Sequence, residues 1–274
     1  DRSPSRGLGD VYKRQINNRV IKNMKTFLWL SLIALFPVVL SALIYLTERT
    51  KVASKMSYIA KQLITGIMFG ELAILGTEFG IKIDGAIINA RDASPICAGL
   101  LFGAPAGIIA GIIGGVERWL AVIWGAGEYT QLACSVSTVL AGAFAAALRK
   151  YMFDNKKPKW YYCLAIAVIT EIVHMLMIFL TNMNDVRTTF SFVRICSLPM
   201  IAVNGLAVML AGALLSLLSV REHKTAHHDL KNISQSFQRF ILVCVTAGFL
   251  MTTVFTWALQ TELCRNGGYE VPQE

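Results

Sequence analysis

Charge is scarce in this sequence. Only 16% of its 274 residues are Asp, Glu, Lys or Arg, against about a quarter in an ordinary soluble domain. With 55% hydrophobic residues and a mean hydropathy of +0.54, that shortfall excludes water as the solvent for most of the chain. Organised cysteine is also missing: there are six, with no Cys-x-x-Cys and no Cys/His metal spacing, so neither a disulfide framework nor a zinc fold is expected. Five of them, Cys97, Cys134, Cys163, Cys196 and Cys244, fall inside apolar segments, where cysteine behaves as a small apolar residue. Acidic residues number 17 against 26 basic ones, a formal charge of +9. The basic residues sit in short stretches between apolar runs instead of one stripe with interleaved aromatics, so membrane topology accounts for them and no nucleic-acid partner is expected.

What is present is apolar length. Runs at about 26–46, 63–80, 96–116, 129–148, 160–181, 192–218 and 239–259 carry almost no charge. At 1.5 Å rise per residue each can cross a hydrocarbon core of about 30 Å. The expected fold is an all-α polytopic transmembrane helical bundle in contact with membrane lipid. Residues 1–15, DRSPSRGLGDVYKRQ, have neither helical period nor signal-peptide layout and resemble translated adapter read-through, so 1–23 is expected to be a non-native or disordered tail and Met24 the start.

Three connectors are basic: Arg49, Lys51, Lys55 and Lys61; Arg149, Lys150, Lys156, Lys157 and Lys159; and Arg221, Lys224, Lys231 and Arg239. The positive-inside bias makes these cytoplasmic and leaves 81–94 and 182–194 outside, with only Lys82, Arg91, Arg187 and Arg194. Parity then fails. An outside loop at 81–94 and an inside loop at 149 require an odd number of crossings, yet two apolar runs intervene. The stretch Gly114 to Gly127, with Glu117, Arg118, Trp119 and Trp124 among four glycines, is the expected seat of a Gly-rich broken or re-entrant helix and of a cavity. Whether 96–148 crosses once or three times stays open at this point.

The segment from Asn89 reads NARDASPICAGLLFGAPAGIIAGIIGGVERW, followed after a short gap by LACSVSTVLAGAFAAALRKY. This layout resembles the transmembrane receptor domain of LytS-type sensors: an Asn-x-Arg, a Gly-x-Pro-x-x-Gly-rich helix, an Arg one helix later, and an Ala-Cys-x-x-Ser segment. The resemblance covers about 63–218. The chain is several residues longer than the usual pattern around Ile123 to Glu128. The resemblance implies the input module of a bacterial signalling protein in the plasma membrane, and a small carboxylate ligand such as a 2-oxo acid. Matched residue by residue, it implies ligand contacts from Asn89, Arg91, Arg118, Cys134 and Ser137, and a homodimer of the kind signalling receptors form.

Elementary physics gives the two arginines a role as well. An Arg at membrane depth costs about 2.5–3.5 kcal/mol on insertion scales, so it tends to face a cavity and a partner. A guanidinium is a planar fork that matches a carboxylate bidentately. The competing reading makes Arg91 an external loop charge and Arg118 a snorkelling residue at a helix end. Gly103, Pro105, Gly107, Gly111 and Gly115 form a structural motif whose four-residue spacing lets helices approach closely.

Other features are weaker. Glu171 and His174 stand three apart on one helix, a ligand-like spacing, but without a second pair a buried polar contact is preferred and no metal or cofactor is expected. His227, His228, Asp229, Leu230, Lys231 and Asn232 look like a phosphoacceptor box, yet the next span begins too soon and no ATP-binding domain follows. The domain reading is therefore a tail at 1–23; an N-terminal transmembrane helix and basic linker at 24–62; the receptor domain at 63–218; a cytoplasmic juxtamembrane linker at 219–238; and a further transmembrane helix with the start of a truncated external region at 239–274. No enzyme activity is expected of this stretch itself. A membrane substrate-capture or transport protein is the alternative, since Gly-rich broken helices around a central site also describe carriers. An intramembrane enzyme using Glu171 and His174 is the remote third reading.

Overall fold

The computed structural model describes residues 28–83, 86–125 and 127–219. The expected tail, the 239–259 span, the histidine-rich segment and nearly all of the 219–238 linker lie outside the described residues.

Eight helices and one small hairpin make up the described chain. They are α1 (Leu28–Thr47), α2 (Lys51–Ser54), α3 (Tyr58–Glu78), α4 (Ala93–Phe102), α5 (Ala104–Leu120), α6 (Gln131–Tyr151), α7 (Trp160–Thr181) and α8 (Val186–Ser219). Strands β1 (Ile81–Ile83) and β2 (Ala86–Ile88) pair antiparallel with Ile81 opposite Ile88. Six helical segments are long and apolar enough to cross a membrane. The lipid-side faces stay greasy, as at Ile59, Ile108, Ile112 and Leu198, which are exposed, while the buried faces are rich in small residues. Without a hydrophobic force between helices in lipid, close backbone packing has to hold them together.

Those small residues also give the helix directions. Gly66 of α3 meets Ile109 of α5 and Gly70 meets Ile113, a constant offset that makes the two helices parallel. Gly115 packs on Ser135 and Val139, Gly111 on Thr138 and Val139, and Gly107 on Gly142, so α5 and α6 are antiparallel. Gly205 near Leu164 and Gly212 near Cys163 make α7 and α8 antiparallel.

Helix α4 resolves the parity. Its start lies at one end of α3, where the Arg91 backbone packs on Gly76. Its finish lies at the other, where Gln62 Nε2 donates to Phe102 O at 3.1 Å. Leu100 O likewise accepts from Arg149, at the far end of α6. The chain thus passes three times between 93 and 151, through α4, α5 and α6, and the odd count is met. At ten residues, about 15 Å, α4 is too short to span lipid alone. Every one of its residues is buried in protein, which is where a short, irregular element is tolerated. Its second half is wound as a π-helix.

The break therefore falls at Gly103 and not in the Gly114–Gly127 stretch where the sequence suggested it. The run 96–116 hides it because no charge interrupts it. Gly103 has φ 157, a backbone conformation that L side chains rarely adopt, and a Cβ there would push the Gln62 amide away from its two hydrogen bonds. Pro105 sits in the first turn of α5, where its missing N–H has no cost. The 114–125 stretch instead finishes α5 and passes through a short 3₁₀ turn at Ala121–Trp124 to Gly125 in the left-handed region.

One end of the bundle gathers the basic connectors. Lys157 Nζ lies 4.2 Å from the Tyr45 ring centroid and 5.7 Å from that of Phe102, which brings the 48–57 and 149–159 connectors to one side. Burial lowers the Lys157 ammonium pKa, offset in part by Glu48. At the opposite end Trp29 donates to Phe79 O and Trp124 to Glu78 Oε1, the interfacial positions tryptophan favours.

Candidate functional site

Arg91 and Arg118 are the two largest side chains to be almost wholly buried among the described residues, at 0% and 1% exposure. Arg91 precedes α4, whose N-terminus is held by Asn204 of α8: its Oδ1 accepts from Ala93 N at 3.0 Å and its Nδ2 donates to Asn89 O at 3.4 Å. The Arg91 guanidinium donates to Asp92 Oδ1 and Thr77 Oγ1, both at 3.3 Å, and to Cys134 O at 3.4 Å. Three helices are thereby tied to one cation.

Asp92 is the hub of the second layer. Its Oδ1 also accepts from Thr138 at 2.8 Å, and its Oδ2 lies 2.7 Å from His174 Nδ1. The other ring nitrogen of His174 is 3.3 Å from Cys134 Sγ. Glu171, one turn earlier on α7, is 3.8 Å from His174 Nδ1 through Oε2. All of these groups are buried.

Arg118, near the end of α5, spends Nη2 on Gly127 O at 2.9 Å and Thr130 Oγ1 at 3.0 Å. Its Nη1 is buried with no hydrogen-bond partner, as are the hydroxyls of Ser135 and Ser137. Among the described residues Arg118 has no ion-pair partner. Both guanidinium groups and His174 lie close enough to act electrostatically on Cys134.

Of the residues singled out from sequence, Arg91, Cys134 and Arg118 thus converge, and Ser137 stands one turn along α6 from Cys134. Asn89 is placed differently. Its Oδ1 accepts from Arg91 N and its Nδ2 donates to Ile87 O, so the side chain braces the turn into α4. Gly107, Gly111 and Gly115 face α6 backbone. Asp92, Thr77, Thr138 and Asn204 went unremarked in the sequence. The NARD tetrad offers a cue to Asp92 through its neighbouring charge, whereas Asn204 is 111 residues from its partner Ala93 and carries no local signal.

A charged cluster sealed inside an apolar multi-pass bundle marks a functional site of a membrane protein. A family model described as 5TMR of 5TMR-LYT matches residues 44–217, the stretch that holds α3 to α8, and the chain belongs to that family. It is similar to Sensor histidine kinase YpdA of Escherichia coli K12, 27% identical over 111 residues, 40% of this chain and 19% of that protein. Sensor histidine kinase BtsS of the same strain is 29% identical over 116 residues, 41% and 20% of the two chains. Sensor protein LytS of Bacillus cereus is 30% identical over 146 residues, 51% and 23%. The matches span about a fifth of these curated relatives' length, and no solved structure matches. The chain is accordingly a multi-pass protein of the bacterial inner membrane that carries a sensor input domain of the kind found in histidine kinases, and the matched region includes no catalytic domain.

Proposed function

We propose that this domain senses a small carboxylate of the 2-oxo acid class, held by Arg118 with Arg91, Cys134 and Ser137 around it. The observation that carries the reading is Arg118 itself: a buried guanidinium with a free Nη1 and no carboxylate partner. A buried charge left uncompensated is strongly unfavourable, and a ligand carboxylate supplies both the charge and the missing acceptor in fork geometry. Asp92 pairs with Arg91, and the Glu117 carboxyl acts on both guanidinium groups without forming an ion pair with Arg118, so a ligand carboxylate would be the first to reach Arg118 Nη1. The Ser137 hydroxyl, also unpartnered, offers a donor for a second ligand oxygen.

The ligand acts by favouring one packing of the bundle over another, and only by its differential affinity for the two. Cys134 and Ser137 lie on α6, which packs on α5 through glycine contacts, so closing the site around an anion draws these two helices against α7. The receptor domain at 63–218 would pass that change to an output module in the full-length protein, acting as a dimer.

Calorimetric titration of the chain in lipid nanodiscs with pyruvate tests the reading. Saturable binding is expected, weakened about 10- to 100-fold by Arg118→Ala, since a hydrogen bond to a charged group contributes about 1.5–3 kcal/mol. Equal affinity in the parent, Arg118→Ala and Arg91→Ala proteins would sink it.

A further inference from the structure

Glu171 has no task in the carboxylate reading, and its surroundings are unusual. The side chain is 0% exposed, and neither oxygen has a hydrogen-bond partner. A carboxyl removed from water and from every donor persists only with its proton on or with a cation against it.

Ligand atoms for a cation converge at that point. One atom each from Asp92, Glu171 and His174 lies within 4.8 Å of the other two. Asp92 Oδ2 is 2.7 Å and Glu171 Oε2 is 3.8 Å from His174 Nδ1. Around tetrahedral zinc, with bonds of about 2.0–2.1 Å, ligand atoms stand about 3.4 Å apart. The two separations straddle that distance, so small side-chain rotations satisfy it. Helix geometry explains half of the arrangement, since residues three apart share a face of α7. Asp92 arrives from the turn before α4 and supplies the third donor that the sequence spacing lacked.

The neighbours leave the right valences free. Asp92 Oδ1 is committed to Arg91 and Thr138, which leaves Oδ2 facing His174. With its proton on Nε2, the His174 ring donates toward Cys134 Sγ and turns the Nδ1 lone pair to the two carboxylates. Metal-bound histidines are commonly fixed through the other ring nitrogen in this way.

We infer that Asp92, Glu171 and His174 form a binding site for a zinc-class divalent cation between α4 and α7, with a fourth coordination position open. Two carboxylates face the ion, Asp92 being shared with Arg91, so an anionic group at the open position would complete the charge balance. One imidazole among three ligands suits zinc or cobalt, whereas calcium takes 6–8 oxygens and magnesium an octahedral shell. Entry of the ion sends to water the proton held between Asp92 Oδ2 and His174 Nδ1, together with any proton on Glu171. Arg118 takes no part, so this site and the carboxylate reading can fail separately.

The test uses the whole chain in nanodiscs, stripped with chelator, with His223, His227 and His228 changed to Ala in every protein compared so that His174 is the one imidazole left. Zinc is titrated by calorimetry and cobalt by its visible absorption. One ion per chain is expected, with the intense bands of low-coordinate cobalt. Binding should vanish in Glu171→Gln and His174→Ala, weaken about 10-fold in Cys134→Ala as for other outer-shell partners, and persist in Arg118→Ala. Glu171→Gln keeps the shape and loses only the 3.8 Å pairing with His174, so without metal it should melt close to the parent's temperature, which certifies its fold. Absence of stoichiometric binding in the parent, or full binding retained in both Glu171→Gln and His174→Ala, overturns the inference.

Discussion

Gln62 bridges the break between α4 and α5: its amide donates to Phe102 O, at the end of one helix, and accepts from Ala106 N, in the first turn of the next, at 3.1 and 3.2 Å. Helix ends leave backbone groups without partners, and at membrane depth water does not supply them. One glutamine on a neighbouring helix satisfies a group from each end.

Replacing Gln62 with Leu therefore orphans a carbonyl and an N–H together. Each buried group left unsatisfied costs about 1–3 kcal/mol, so the midpoint of unfolding in denaturing detergent should fall clearly. Gln62→Glu keeps the acceptor and loses the donor, and should fall between the two.

Gly107 packs so closely on Gly99 and Gly142 that an added Cβ would overlap backbone atoms of both helices. Ile108, the next residue, is exposed on the lipid side. Gly107→Leu should cost at least the roughly 1–3 kcal/mol of overpacking and reduce folded yield on size-exclusion chromatography. Ile108→Leu should behave as the parent, and equal effects would refute the α5–α6 contact.

Removing Arg91 leaves Asp92 with His174 and Thr138 as partners. Arg91→Met should therefore destabilise by less than the roughly 3–5 kcal/mol of a fully uncompensated buried charge. The double change Arg91→Met with Asp92→Asn should recover part of that loss, a coupling read from a double-mutant cycle. Strict additivity would mean the two groups do not interact.

Orientation is open to direct measurement. Cysteines introduced at Asp154 and Asp185 should react with a membrane-impermeant maleimide from opposite sides, Asp154→Cys from the cytoplasm and Asp185→Cys from outside. Labelling from the same side would remove the crossing by α7, the helix that separates these two connectors.

The sequence displayed the apolar spans, the basic connectors and the two buried arginines, because each is written locally as a run, a cluster or a charge out of place. It also displayed a parity conflict, although not its cause. Gly103 is one glycine among several in an uninterrupted apolar run, and only the Gln62 amide packed against it marks it as the break. The polar hub was hidden for a related reason. Asp92, Thr138 and His174 lie on three different elements, and a single sequence carries no trace of which distant residues will meet. Glu171 and His174 were visible as a pair but stood one ligand short until folding delivered Asp92.

Since α4 is enclosed on every side by other helices, bilayer partitioning gives it no reason to enter the membrane by itself. Its place is held only by the sleeve that α3, α5, α6 and α8 form around it. The arginine at its head and the glycine at its foot depend on that sleeve together, and damage to any of its walls should reach the sensor site without touching a ligand contact.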